Sequence, residues 1–148
     1  MAGHVVKRFD KFPMTRELDD IRRGVGRLME EKPDQAKKFI EMLGNTNLDS
    51  WRLAGKEDTD GRFAIYYVTI KGGRDFPTHS HEDVYAVVYI VEGKGDVILD
   101  GTRHPIVQGD VVHIPKQTVH EFVADGPLSY IAVTSPDFGV QHPDFIFT

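Results

Sequence analysis

From Trp51 onward the chain is a series of short blocks rich in valine, isoleucine, tyrosine and phenylalanine: RFAIYYVTI, VYAVVYIV, DVILD, VVHIP, HEFV and LSYIAVTSP. Between them lie KGGRDFPTHSHED, EGKG, GTRHPIVQGD, KQTV and ADGP, segments built on glycine, proline and aspartate. β-Branched and aromatic residues suit a pleated surface, and blocks this short do not make helices of ordinary length. A run of such blocks can build an antiparallel sandwich or a barrel and little else. Glu92-Gly93-Lys94-Gly95 joins two of the blocks in the manner of a tight hairpin.

The part before Trp51 has a different period. In TRELDDIRRGVGRLMEEK the apolar residues Leu18, Ile21, Val25, Leu28 and Met29 recur at intervals of three and four, which makes one stripe of a helix. Gly24 and Gly26 weaken that helix, and Pro33 interrupts the pattern. Asp34 is then placed to cap a second helix, DQAKKFIEML, with Ala36, Phe39, Ile40 and Leu43 inward and Gly44 as its stop. The arginines and acids of this region are mixed, as on a solvated helix face. The expected organisation is a helical extension over residues 1–50, an all-β domain over 51–136, and a tail over 137–148 that packs on the β domain or on a partner subunit.

Composition narrows the chemistry. The chain has 148 residues, enough for one domain with a real core, and a net charge of -5, which argues against nucleic acid or an anionic membrane surface as a partner. It has no cysteine, so disulfides and thiolate ligands are excluded, and a transition metal must be held by histidine, carboxylate or phenolate. The segment MAGHVVKRFDKFPM lacks the apolar core of a signal peptide, and no stretch is apolar for the length of a bilayer; the expected location is cytoplasmic.

His79 and His81 are one residue apart in THSH. On an extended segment they point the same way, with Cα atoms about 7 Å apart, so both can reach one metal ion from a concave face. Such a pair is common on polar loops and means little alone. A second stretch, GDVVHIPKQTVHEF, adds His120 at the opening of a strand.

Together the two stretches carry a family resemblance. Gly73-x5-His79-x-His81-x4-Ala86-x6-Gly93 resembles the first motif of the cupin superfamily, G-x5-H-x-H-x3,4-E-x6-G. Gly109-x5-Pro115-x-Gln117-x2-His120-x3-Ala124 resembles the second, G-x5-P-x-G-x2-H-x3-N. The resemblance implies a cupin-type antiparallel β-barrel, jelly-roll-like, preceded by the two short helices, with His79, His81 and His120 as metal ligands. It also implies a small-molecule substrate and a homodimer.

Three positions depart from the family pattern: Ala86 stands at the glutamate, Gln117 at the glycine and Ala124 at the asparagine. Without the glutamate the ligand set is three neutral imidazoles. That set suits one divalent transition metal, iron(II) first, with zinc, nickel, copper or manganese as alternatives, and it leaves positions open for a chelating substrate with or without O₂. The leading expectation is a non-haem Fe(II) dioxygenase acting on a small chelating organic molecule. The alternatives are a lyase or isomerase whose zinc, nickel or manganese acts as a Lewis acid, and a non-catalytic cupin that binds a small ligand.

Tyr85, Asp83 and His113 are the candidate acid–base residues, and Tyr85 or Asp83 is a candidate to replace the missing carboxylate. Glu82 should point away from the histidine face, and Glu121 should face outward, opposite His120. Of Phe63, Tyr66, Tyr67, Val88, Ile90 and Phe122, about half should line the interior by alternation, which favours an aromatic or hydrophobic ligand.

Overall fold

The computed structural model describes residues 29–43, 47–76, 78–136 and 146–148. In order along the chain these form α1 (Pro33–Leu43), β1 (Leu48–Ala54), a single turn α2 (Lys56–Thr59), β2 (Ala64–Ile70), β3 (Gly73–Arg74), β4 (His79–Ser80), β5 (Tyr85–Glu92), β6 (Lys94–Leu99), β7 (Thr102–Val107), β8 (Val111–Ile114), β9 (His120–Ala124), β10 (Leu128–Ser135) and β11 (Ile146–Phe147). The strands make two antiparallel sheets. One runs β1-β2-β10-β5-β8, the other β11-β4-β9-β6-β7, with β3 also pairing with β9. The fold is all-β and jelly-roll-like as expected, but as two sheets rather than one closed barrel.

Alternation decides what faces what. In β5, Ala86, Val88 and Ile90 are buried while Tyr85, Val87 and Tyr89 are exposed. Val68, Ile70, Val97, Ile106, Phe122 and Leu128 meet Val88 and Ile90 in one core between the sheets. Phe122 is buried, Tyr66 packs partly on this core, and Phe63 is exposed.

The two sheets are joined where the chain crosses from β9 to β10 through residues 125–127. Next to that crossing Gly93, at φ 92, sits so close to Pro127 that a Cβ would strike its carbonyl oxygen. Only glycine fits both that backbone and that approach.

The helical reading holds in part. The turn at 29–31 is helical, whereas the rest of the first predicted helix, with Leu18, Ile21, Val25 and Leu28, lies outside the described residues. The helical pattern breaks at Lys32, and Pro33 opens α1, where its missing N–H is one that would have no partner within the helix. The first intrahelical bond runs from the Ala36 N–H to the Lys32 carbonyl, so Lys32 occupies the cap position. Asp34 lies in the first turn, where its charge complements the helix dipole. β1 begins at Leu48, ahead of the expected boundary at 51, because Leu48 pairs with Ile70 at the far end of β2.

The chain's last residues return to the sheet. Ile146 and Phe147 pair with Ser80 and His79. Gln35 of α1 grips this strand at both backbone groups: the Phe147 N–H donates to Gln35 Oε1 at 2.7 Å, and Gln35 Nε2 donates to the Phe147 carbonyl at 3.2 Å. One helix, the tail and the strand bearing His79 are thereby tied together.

Candidate metal centre

The three histidines expected as ligands converge. His79 pairs directly with His120 across β4 and β9, and His81 follows just beyond β4. Ring centroids are 4.4 Å apart for His79 and His120, 5.1 Å for His79 and His81, and 5.3 Å for His81 and His120. All three are buried, and one nitrogen from each lies within 4.8 Å of the others. Two metal–nitrogen bonds of about 2.0–2.1 Å span about 4 Å, so small ring rotations close this set around one ion.

The second coordination layer is built from backbone. His120 Nδ1 lies 2.8 Å from the Thr118 carbonyl, which can only accept, so Nδ1 carries the proton and Nε2 keeps its lone pair. Burial lowers the His120 pKa to about 4, and the neighbouring His81 pushes the same way. The imidazole is therefore neutral at pH 7, which is the form that ligates. The residue before it is held from the β6–β7 turn: the Val119 N–H donates to Asp100 Oδ1 at 2.9 Å. His81 is held through its own carbonyl, which accepts from the Gln117 N–H at 2.6 Å. Phe76 meets His79 edge-on at 5.8 Å, and Phe147 packs on it at 5.9 Å. Three buried imidazoles, with a carbonyl fixing the tautomer of one, fit a divalent transition metal.

The other sequence candidates lie elsewhere. Tyr85 is 52% exposed on the outer face of β5, turned away by the same alternation that turns Ala86 inward. His113 is exposed on the outer face of β8, opposite Val87. Asp83 is exposed in the loop between His81 and β5, as is Glu82. Ala86 is buried on the inner face between Thr134 and Ile114, and Ala124 is buried beside Gly95. Glu121 does not face open solvent as expected. It is buried at 6%, and Arg74 of the adjacent β3 pairs with it, Nε lying 3.3 Å from Oε2.

Sequence reasoning missed one residue. Asp75 is 2% exposed, donates its N–H to the Phe122 carbonyl and accepts the Phe122 N–H on Oδ1 at 2.9 Å. Its carboxyl also bonds the buried Tyr130 hydroxyl, and the Tyr130 ring stacks on Phe122 at 4.9 Å. Burial raises the Asp75 pKa to about 7, with the Glu121 charge adding to the rise and the N–H bonds opposing it. In sequence it is one acid of RDFP, indistinguishable from a turn residue. Phe122 is two residues along β9 from His120 on the same face, so this acid–phenol pair lies one row from the histidines.

Residues 66–134 match the Cupin domain family. Over 70 residues the chain is 31% identical to quercetin 2,3-dioxygenase of Bacillus subtilis (strain 168), covering 47% of this chain and 21% of that enzyme. It is 27% identical over 70 residues to an uncharacterized protein of Methanocaldococcus jannaschii, covering 46% of this chain and 56% of that one. The chain thus spans less than two-thirds of either relative. Among solved structures, a cupin-like protein from Thermotoga maritima MSB8 aligns with a TM-score of 0.57 at 27% identity, over 62% of this chain and 71% of the other. No helix among the described residues is long and apolar enough to cross a membrane.

Proposed function

We propose, from the cupin-domain match over residues 66–134 and the three-histidine cluster with no carboxylate at the Ala86 position, that the protein is a metal-dependent dioxygenase acting on a small chelating organic substrate. His79, His81 and His120 hold one divalent metal ion, iron(II) first. The observation that carries the reading is the convergence of three buried nitrogens with Thr118 fixing the tautomer at His120. Bound there, iron(II) supplies Lewis acidity toward a chelating substrate and one-electron chemistry toward O₂.

The chain's own residues do the rest. Three imidazoles contribute no negative charge, so the ligand set leaves the ion's positive charge uncompensated and favours an anionic chelating group on the substrate. Ala86, on the inner face of β5, ends at its Cβ and supplies no ligand atom. Phe76 and Phe147 flank His79 and keep water from that side of the cluster. Asp75 holds a proton near neutral pH on a carboxyl bonded to Tyr130. The 31% identity to a quercetin 2,3-dioxygenase, over 21% of that enzyme, supports the cupin family, and the reaction class is what the test below decides.

The test is oxygen uptake by iron-loaded protein across a panel of catechols, flavonols and diketones. Uptake that needs both iron and one of these chelators, and that vanishes in His120→Ala, supports the reading. Iron-loaded protein that consumes no oxygen with any of them, while zinc- or nickel-loaded protein turns a substrate over, contradicts it.

A further inference from the structure

β5 alternates between the core and the outside, and the residues it turns outward belong to rows that cross the sheet. In one row Trp51, Tyr67, Ile131, Tyr89 and Val111 stand side by side across all five strands, β1-β2-β10-β5-β8. In the next, Ile65, Val133, Val87 and His113 follow across four of them. Neither row holds a lysine, arginine, aspartate or glutamate. Tyr85 extends the patch at the start of β5, beside Ser135. Tyr85, Val87, Tyr89, Val111 and Val133 are each 36–53% exposed.

The other sheet has a different outer face. There Arg103, Ile98 and Glu121 form one row, and Pro105, Asp96, Val123 and Arg74 the next. Its charges are paired, Arg103 with Asp96 at 2.9 Å and Arg74 with Glu121 at 3.3 Å. An antiparallel sheet with one face on the core is normally polar on the side it shows to water. The sheet bearing Asp96 keeps that rule, and the sheet bearing Tyr89 breaks it. Apolar side chains gathered this way mark a surface that something covers.

We propose that this face, centred on Val87 and Tyr89, is the interface of a homodimer, in which a two-fold axis lays β10, β5 and β8 of one copy over those of the other. The area fits: at the side-chain areas usual for tyrosine and valine, the five exposed residues offer about 400 Å², and half-buried Ile131 and Tyr67 add to it. A standard interface takes about 800 Å² from each partner, about 65% of it apolar in homodimers, so this patch supplies most of the apolar share.

Charge and shape select a second copy as the occupant. Each chain carries a net charge of -5, so two copies repel unless they meet where neither bears charge, and these rows are such a place. A two-fold contact sets the same patch against itself, and a patch without charge cannot oppose its own image. Two copies of one sheet also share one twist, which lets their faces pack aligned about 10 Å apart. The face lies on the far side of its sheet from the histidines, so pairing does not depend on a bound metal.

Sedimentation equilibrium and tyrosine labelling of the full chain test this. Wild type should be a dimer at micromolar concentration. Val87→Glu and Val111→Glu each press a carboxylate into the apolar contact, and each should weaken dimerisation at least about 100-fold while the melting temperature holds. Val123→Glu, on the outer face of the other sheet, should leave the dimer intact. In the wild type, tetranitromethane should nitrate Tyr85 and Tyr89 readily in dilute, dissociated protein and several-fold more slowly once the dimer forms.

A wild type that stays monomeric at every concentration overturns the proposal; if Tyr85 and Tyr89 also resist nitration at every dilution, the face belongs to another segment of the same chain. A dimer that survives both Val87→Glu and Val111→Glu, or whose formation leaves nitration of Tyr85 and Tyr89 unchanged, overturns it as well, by placing the contact elsewhere. The metal reading stands under any of these results.

Discussion

His79 stands directly opposite His120 across the β4–β9 pair, with ring centroids 4.4 Å apart. Two of the three nitrogens are thus brought together by strand register alone, since directly opposed residues hold their Cβ atoms about 5 Å apart. His81 lies past the end of β4 and depends on the Gln117 N–H that its carbonyl accepts. Gln117 sits at φ 65, where glycine is at ease and glutamine is strained. Gln117→Gly should keep metal affinity and stability within about 1 kcal/mol of wild type. Gln117→Pro cannot adopt that φ and loses the N–H, so it should cost about 3 kcal/mol or more and weaken metal binding. Chemical denaturation and metal titration of the two variants check this; equal behaviour would remove the turn from the support of His81.

Ala86 is buried on the inner face of β5, at the position where the family pattern has a glutamate. Ala86→Glu should raise divalent-metal affinity on the order of 10-fold by adding a charged oxygen ligand. It should also destabilise the metal-free protein, because the carboxylate is then buried unpaired. Competition titration with a chromophoric chelator reads the affinity. No change would mean that a side chain at 86 does not reach the histidines.

Asp75 makes stability depend on pH in an unusual direction. Its pKa rises from 3.8 to about 7 on folding, so between those values the folded chain binds the extra proton. The contribution is fully present below about pH 4, falls as pH rises toward 7 and is level above it, with a span of as much as about 4 kcal/mol. His120, lowered from 6.5 to about 4, gives the opposite slope over much of the same window. The readout is therefore a difference: metal-free Asp75→Asn should gain stability relative to wild type as pH rises from 4 to 7, and the gain should plateau above 7. Urea midpoints at several pH values measure it, and a pH-independent difference would contradict the raised pKa.

Gln35 and Phe147 are 112 positions apart and share two hydrogen bonds. Gln35→Ala should cost about 1–3 kcal/mol and free β11 from the helix. Hydrogen exchange at the Phe147 amide should accelerate markedly in the variant while amides of β5 and β10 keep their rates. Unchanged exchange at Phe147 would show that strand pairing with His79 alone holds the tail.

Much of this was legible in the sequence because it depends on local periods. The strand blocks gave the antiparallel all-β fold but not its division into two sheets, and counting back from Gly93 put Ala86 on the inner face; the same parity turns Tyr85 outward, against its reading as a site residue. The spacing of His79, His81 and His120 carried the cluster. What was not legible depends on contacts between distant segments. Asp75 reads as a turn acid because Phe122 and Tyr130, which bury it, come from strands beyond the first motif. Glu121 was given its face by parity, but parity says nothing of its burial or of its ion pair with Arg74. β1 starts at Leu48 because β2 continues to Ile70, and nothing in NTNLDSW announces that partner.

The central claim is that His79, His81 and His120 together hold one metal ion. Elemental analysis of protein produced with iron, zinc, nickel, copper and manganese all supplied, beside His120→Ala prepared identically, tests it most directly. The account predicts close to one equivalent of a single transition metal, iron foremost, in the wild type, and near-complete loss in the variant with the fold retained by circular dichroism. Wild type without metal, or a folded His120→Ala that keeps a full equivalent, would contradict it.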